Sequence, residues 1–109
     1  MATSYKVLGQ SAPSATTNTT LYTCPSATET VISSLVVANQ AGTSATYRIA
    51  IRPNGAALSN QHYIVYDANI AANTTTAYTL GVTIDATDVV TVYASSANLS
   101  FNAFGSEIA

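Results

Sequence analysis

An antiparallel all-β sandwich or jelly roll is the fold class this sequence predicts, on three observations. Tyr47, Ile49 and Ile51 alternate with Arg48, Ala50 and Arg52, and Tyr78, Leu80, Val82 and Ile84 alternate with Thr79, Gly81 and Thr83, the two-residue period of half-buried strands. Turn residues recur at short intervals, in Pro25-Ser26, Gly42-Thr43, Pro53-Asn54-Gly55, Asp85 to Asp88 and Ser95 to Asn98. No stretch carries the 3.6-residue apolar period of an amphipathic helix. With 109 residues the chain makes one antiparallel domain, residues 1 to 109, of about eight short strands.

Taken in order, Ser4 to Gln10 predicts a first strand at a sheet edge, with Tyr5 and Val7 on one side and Lys6 and Leu8 on the other. Ser11 to Thr20 is a polar loop. Leu21 to Cys24 is a short strand ended by Pro25-Ser26-Ala27. Glu29 to Asn39 is the longest run rich in β-branched residues and is expected to be central. A strict period of two puts Val31, Ser33, Leu35 and Val37 on one face and Ile32, Ser34, Val36 and Ala38 on the other. Neither face is polar enough for free exposure, so each is expected to be covered by a second sheet, a loop or another subunit.

The strand Tyr47 to Arg52 follows, with Tyr47, Ile49 and Ile51 toward the core, and Pro53-Asn54-Gly55 stops it. Ala56 to Asn60 is too short to hold a helix. His62 to Asp67 reads as a strand of mixed faces, and Asp67 to Asn73 as a connecting loop pinned by Ile70. Tyr78 to Ile84, Val89 to Ala94 and Leu99 to Phe104 are the remaining strands, and Gly105 to Ala109 is a tail.

Charge sets the functional limits. Charged residues make up 7% of the chain, against roughly 25% in an ordinary soluble domain, so its surface is built of Thr, Ser, Asn and Ala. Such a surface gives up few hydrated ions when covered, which suits life in an assembly. Lys6, Arg48 and Arg52 are the only basic side chains and the net charge is −2, which argues against nucleic acid as a partner. No apolar run approaches the ~20 residues of a spanning helix, and no membrane partner is expected. The opening MATSYKVLGQ lacks the pattern of a secretion signal, which predicts synthesis in a cytoplasm. Cys24, the single cysteine, has no partner within the chain for a disulfide.

No residue pattern marks an enzyme. His62 is the only histidine, so neither a histidine metal cluster nor a motif-bearing triad can be built around it. Cys24 lies in an apolar β context and reads as a small packed hydrophobe. Asp67, Asp85 and Asp88 lack the spacing of a calcium loop, and the last two read as turn caps. No catalytic residue, cofactor or metal is therefore expected. The candidates are for an interface instead: Val31, Leu35 and Val37 on the two-sided strand, Tyr63 and Tyr66 in the strand after His62, and Arg48 and Arg52 on one outer face, able to meet a partner's carboxylate. Of the seven tyrosines most fall within strands, which favours core and subunit-interface roles over a glycan platform.

The stretch LYTCPSAT followed by VISSLVVAN resembles the opening of small virion structural proteins of tailed bacteriophages, especially those of marine cyanobacteria. YRIAIRPNGAALSNQHYIVYD and TLGVTIDATDVVTVYASSANLSFNAFGSEI resemble the middle and end of the same family. Cys24 departs from it, standing where the family pattern more often has an aliphatic residue. The resemblance implies a β-sandwich virion protein, most simply a capsid decoration or cement protein, with other capsid or tail proteins as partners. It also favours a homo-oligomer, a trimer before other closed forms. The alternative it leaves is a tail or fibre component acting as a host-glycan-binding module, also within the virion.

Overall fold

The computed structural model describes residues 2–109, and the chain folds as an all-β sandwich of two antiparallel sheets. Nine strands are formed: β1 (Thr3–Ser11), β2 (Thr19–Thr23), β3 (Glu29–Asn39), β4 (Ala45–Arg52), β5 (Tyr63–Ile70), β6 (Thr75–Tyr78), β7 (Val82–Ile84), β8 (Val89–Ala94) and β9 (Leu99–Ile108). Sheet A runs β1-β9-β3-β6, with β7 continuing the β6 edge along the other half of β3, and sheet B runs β2-β8-β4-β5. With β6 and β7 taken as one interrupted strand, the chain crosses between sheets at every connection except β4 to β5. That connectivity is a jelly roll.

The core lies between the sheets and is built of Ile32, Leu35, Val37, Tyr47, Ile49, Ile70, Val90, Val92, Leu99, Phe101 and their neighbours. Tyr47 is fully buried and meets Phe101 and Tyr78 edge to face, with centroids 6.1 and 6.4 Å away, and its hydroxyl bonds that of Tyr78. Burial, helped by the Tyr78 hydroxyl, pushes the Tyr47 phenol well above its ordinary pKa, so it is neutral at physiological pH. Asn39 is also buried. Its amide donates to the carbonyls of Thr43, Ile70 and Ala71 and accepts from the Ala41 N–H, tying two loops to the end of β3.

β3 departs from a uniform period at Ser33. Ile32 pairs with Gly105 and Ser34 with Phe104, leaving Ser33 as an extra residue whose hydroxyl donates to the Phe104 carbonyl at 3.1 Å. The bulge reverses the parity of everything after it. Thr30, Ile32, Leu35, Val37 and Asn39 point into the sandwich, whereas Val31, Ser34, Val36 and Ala38 point out. The expectation that Val31, Leu35 and Val37 share one face is therefore corrected: Leu35 and Val37 are core residues, 2% and 0% exposed, and cannot line an intermolecular surface.

The same irregularity breaks the neighbouring edge. β7 pairs with Thr30–Ile32 and β6 with Leu35–Ala38, and the chain skips the bulge through residues 79 to 81, where Gly81 takes φ 65°. Leu80, expected to face the core within one continuous strand, is thereby left exposed at 59%. Two other boundaries differ. The segment read as a loop after Asp67 continues β5 to Ile70, and the segment read as a tail after Gly105 continues β9 to Ile108, because both find a strand beside them.

One end of the sandwich is tied by a polar chain. Lys6 Nζ lies 2.6 Å from Glu107 Oε1, the Tyr22 hydroxyl donates to Glu107 Oε2 at 2.5 Å, and the Thr30 hydroxyl bonds the Tyr22 oxygen at 2.8 Å. Cys24 Sγ follows, 3.2 Å from Thr30 Oγ1 and 3.3 Å from the Thr28 carbonyl. The thiol is buried, but its wall holds two oxygens rather than the purely apolar packing its sequence context suggests. This chain joins β1 and β9 of one sheet to β2 of the other.

Lys6 first and the Tyr22 hydroxyl second hold the Glu107 carboxyl below the usual carboxylate range, against burial. A depressed folded pKa contributes stability that is present above the unfolded value of about 4.3 and is lost as pH falls through the folded one. Glu107→Gln should therefore melt below the parent at neutral pH, and the gap between the two melting curves should narrow steadily under acid below about pH 4. A gap independent of pH would show that the charge of Glu107 contributes nothing.

Candidate interaction surfaces

Two surfaces stand out, one on the outside of each sheet. On sheet A the register places Thr3, Tyr5 and Val7 of β1 beside Ile108, Ser106 and Phe104 of β9, and Val31 and Val36 of β3 on the same side. Tyr5 is 85% exposed and Val7 50%. Val31, Val36 and Phe104 are half-buried and take no part in the core. Lys6 and Glu107 fall on the inner side of their strands, so Glu29, at the start of β3, is the one charged residue whose register sets it on this face among the described residues. Tyr5, Lys6, Ser33, Phe104, Gly105 and Ser106 line a depression of about 380 Å³ at the bulge. Of the sequence candidates, Val31 lies here.

On sheet B the outer face is aromatic. β5 carries two irregularities: Ile64 is extra between the Tyr63–Ala50 and Val65–Ile49 pairs, and Tyr66 and Asp67 together oppose Arg48. The second bulge needs a left-handed residue and Asp67 supplies it at φ 51°, a conformation Asp and Asn tolerate better than other side chains. Its consequence is that two β5 side chains converge on one arginine. Arg48 Nε donates to Asp67 Oδ1 at 2.6 Å while its guanidinium lies 4.4 Å from the centroids of both Tyr66 and Tyr93. The hydrogen bond to Asp67 raises the Arg48 pKa further, so the guanidinium stays charged. Each such stack contributes about 0.5–1 kcal/mol at an exposed site, enough to hold Tyr66 in place although its ring is 58% exposed.

Tyr63 meets Tyr66 edge to face at 4.9 Å, and the two rings with Asn60 line a depression of about 430 Å³. The candidates Arg48, Tyr63 and Tyr66 are thus brought together. Arg52 is on the same side of β4 but is committed elsewhere, donating to Thr91 Oγ1 at 3.1 Å and to the Ala56 carbonyl at 3.2 Å. It braces the 53–62 loop rather than awaiting a partner's carboxylate. Ala50, expected to face out between the two arginines, is 1% exposed because that loop, through its turn at Asn60–His62, packs on β4.

The other polar candidates are engaged within the fold. His62 is buried and its Nδ1 accepts from the Ser59 N–H at 3.1 Å, closing a capping box around the turn. The Asp88 carboxylate accepts from the backbone N–H groups of Asn54 and Asp85, at 2.7 and 2.9 Å, so it clamps one loop to another. Asp67 sits with Arg48, away from that turn. Phe104 and Tyr93 were not singled out by sequence. A signal existed for Phe104, since Gly105 inside a strand pattern marks a bulge, whereas Tyr93 shares an alternating strand with core residues and carries none.

Compared with known proteins, the chain matches no family model, no curated protein and no solved structure. What it can do has to be read from these two faces.

Proposed function

We propose that this chain is a structural building block of a bacteriophage virion, a capsid decoration protein that assembles with copies of itself and with other virion components through the outer face of sheet A. The observation that carries the reading is that face: apolar at Tyr5, Val7, Val31, Val36 and Phe104, interrupted mostly by small or uncharged polar residues, with Glu29 at one end and Lys6, paired with Glu107, beside its depression. A sheet face of this composition favours a cover, and among the described residues no element lies over it. Its extent fits. Four strands about 4.8 Å apart and β3's length at roughly 3.3 Å per residue give about 700 Å², near the ~800 Å² per partner of a stable protein interface. The virion role and the preference for a trimer rest on the family resemblance, and the low charge of the surface supports assembly alone.

The occupant argued for is a second copy, because a face with so little charge can be covered by another part of the same charge-poor surface without like-charge repulsion. A trimer would join this face to a different patch of its neighbour. Burying it gains apolar contact without stranding ions, so association should be insensitive to salt. Sedimentation at low salt and at about 1 M salt, where the Debye length is about 3 Å, is the check. We expect the same oligomer in both. A monomer at both, with no binding to empty capsids, overturns the proposal.

A further inference from the structure

We infer that the outer face of sheet B, at Tyr63, Tyr66 and Asn60, is a binding site for a neutral saccharide. It lies on the opposite face of the sandwich from the assembly surface and does not rest on that reading. Three observations converge. The depression of about 430 Å³ falls within the ~300–1,000 Å³ of small-ligand sites, and two tyrosine rings form its walls. Aromatic rings stack on the C–H face of a pyranose while their hydroxyls bond its rim. The side chain of Asn60 makes no hydrogen bond among the described residues and is exposed, so an amide donor and acceptor stand free beside the rings.

Tyr66 takes no part in the core, and the bulge at Tyr66 and Asp67 sets its ring over Arg48. Charge then selects the ligand. Arg48 and Asp67 neutralise each other 2.6 Å apart, and Arg52 is tied to Thr91 and Ala56, which among the described residues leaves no free cation beside the rings for a sulfate, a uronate or a sialic acid. A neutral sugar matches this wall.

The test uses the whole chain, isotopically labelled and titrated with tetrasaccharides of glucose, mannose and galactose to about 10 mM, beside a tetra-uronate. At least one neutral tetrasaccharide should shift the amide resonances of residues 60 to 67. Tyr66→Ala and Asn60→Ala should each weaken that binding at least about tenfold, and Tyr66→Phe should retain it. Asn60→Ala removes only an exposed side chain that bonds nothing in the fold, so it remains informative if Tyr66→Ala fails to fold. Silence of these resonances toward every neutral sugar, a response to the uronate alone, or unchanged binding by Asn60→Ala would each overturn the assignment. A protein ligand held by the same rings would show as the first of these.

Discussion

Val37→Asp should abolish folding, while Val36→Asp, one residue along the same strand, should leave a folded protein that no longer associates. Val37 is 0% exposed in the middle of the sandwich and pairs with Phe101 and Thr76 on the inner face. A carboxylate there has no cation within reach, and an unpaired buried charge costs about 4 kcal/mol or more, a large part of the ~5–15 kcal/mol that holds a domain together. Val36 points the other way, between Asn102 and Ala77, where water reaches it. Asp is a poor strand residue, so a loss of about 1 kcal/mol is expected there with the β circular dichroism spectrum intact. In the assembly the same carboxylate would be buried against a second copy. Sedimentation of Val36→Asp should therefore show a monomer, and an unchanged oligomer would remove the outer face of sheet A from the interface.

Gly105→Ala should be nearly as damaging although it adds one methyl group. A Cβ at Gly105 would stand 2.0 Å from the Val31 carbonyl oxygen and 3.0 Å from Ile32 Cα, both backbone atoms of the central strand. Backbone cannot rotate aside as a side chain does. Relief requires β3 and β9 to separate at the bulge, where sheet A is already one residue out of step. Overpacking of this kind costs about 3 kcal/mol or more, which in a domain of this size lowers Tm by more than about 10 °C. Gly42→Ala is the control, since nothing lies within 4 Å of its added methyl group, and it should melt within about 2 °C of the parent. Equal melting of the two variants would mean that the strands can part at Gly105 without loss.

The strands were legible in the sequence where hydropathy alternates or where a β-branched run is bounded by turn residues. Tyr47 to Ile51 alternates because β4 has core on one side, and Val89 to Ala94 reads as a strand over the range it occupies. Parity was not legible in β3. Both of its faces are apolar, so a slip of one residue leaves no trace in hydropathy, and Leu35 and Val37 were placed with Val31. The chemistry of the bulge was visible as Ser33-Ser34 amid aliphatic residues and as Gly105 in an aromatic strand, but only pairing shows that these positions meet. On sheet B the sequence offered Arg48, Tyr63 and Tyr66 separately, and the β5 bulge that turns Tyr66 and Asp67 toward one arginine has no local signature.

The place of β9 in sheet A has a consequence for how the protein comes into being. It is synthesised last of the nine strands, yet it lies between β1 and β3, and it supplies Phe101, Ala103 and Leu99 to the core. Until it leaves the ribosome, β1 has no neighbour in its sheet and β3 has one bare edge along its whole length. Sheet B, and β3 with β6 and β7, can pair without it, so what waits for this late segment is the docking of β1 and the closing of sheet A. A chain cut before Leu99 should be open to protease first at β1 and along the bare edge of β3, and restoring β9 should protect both together.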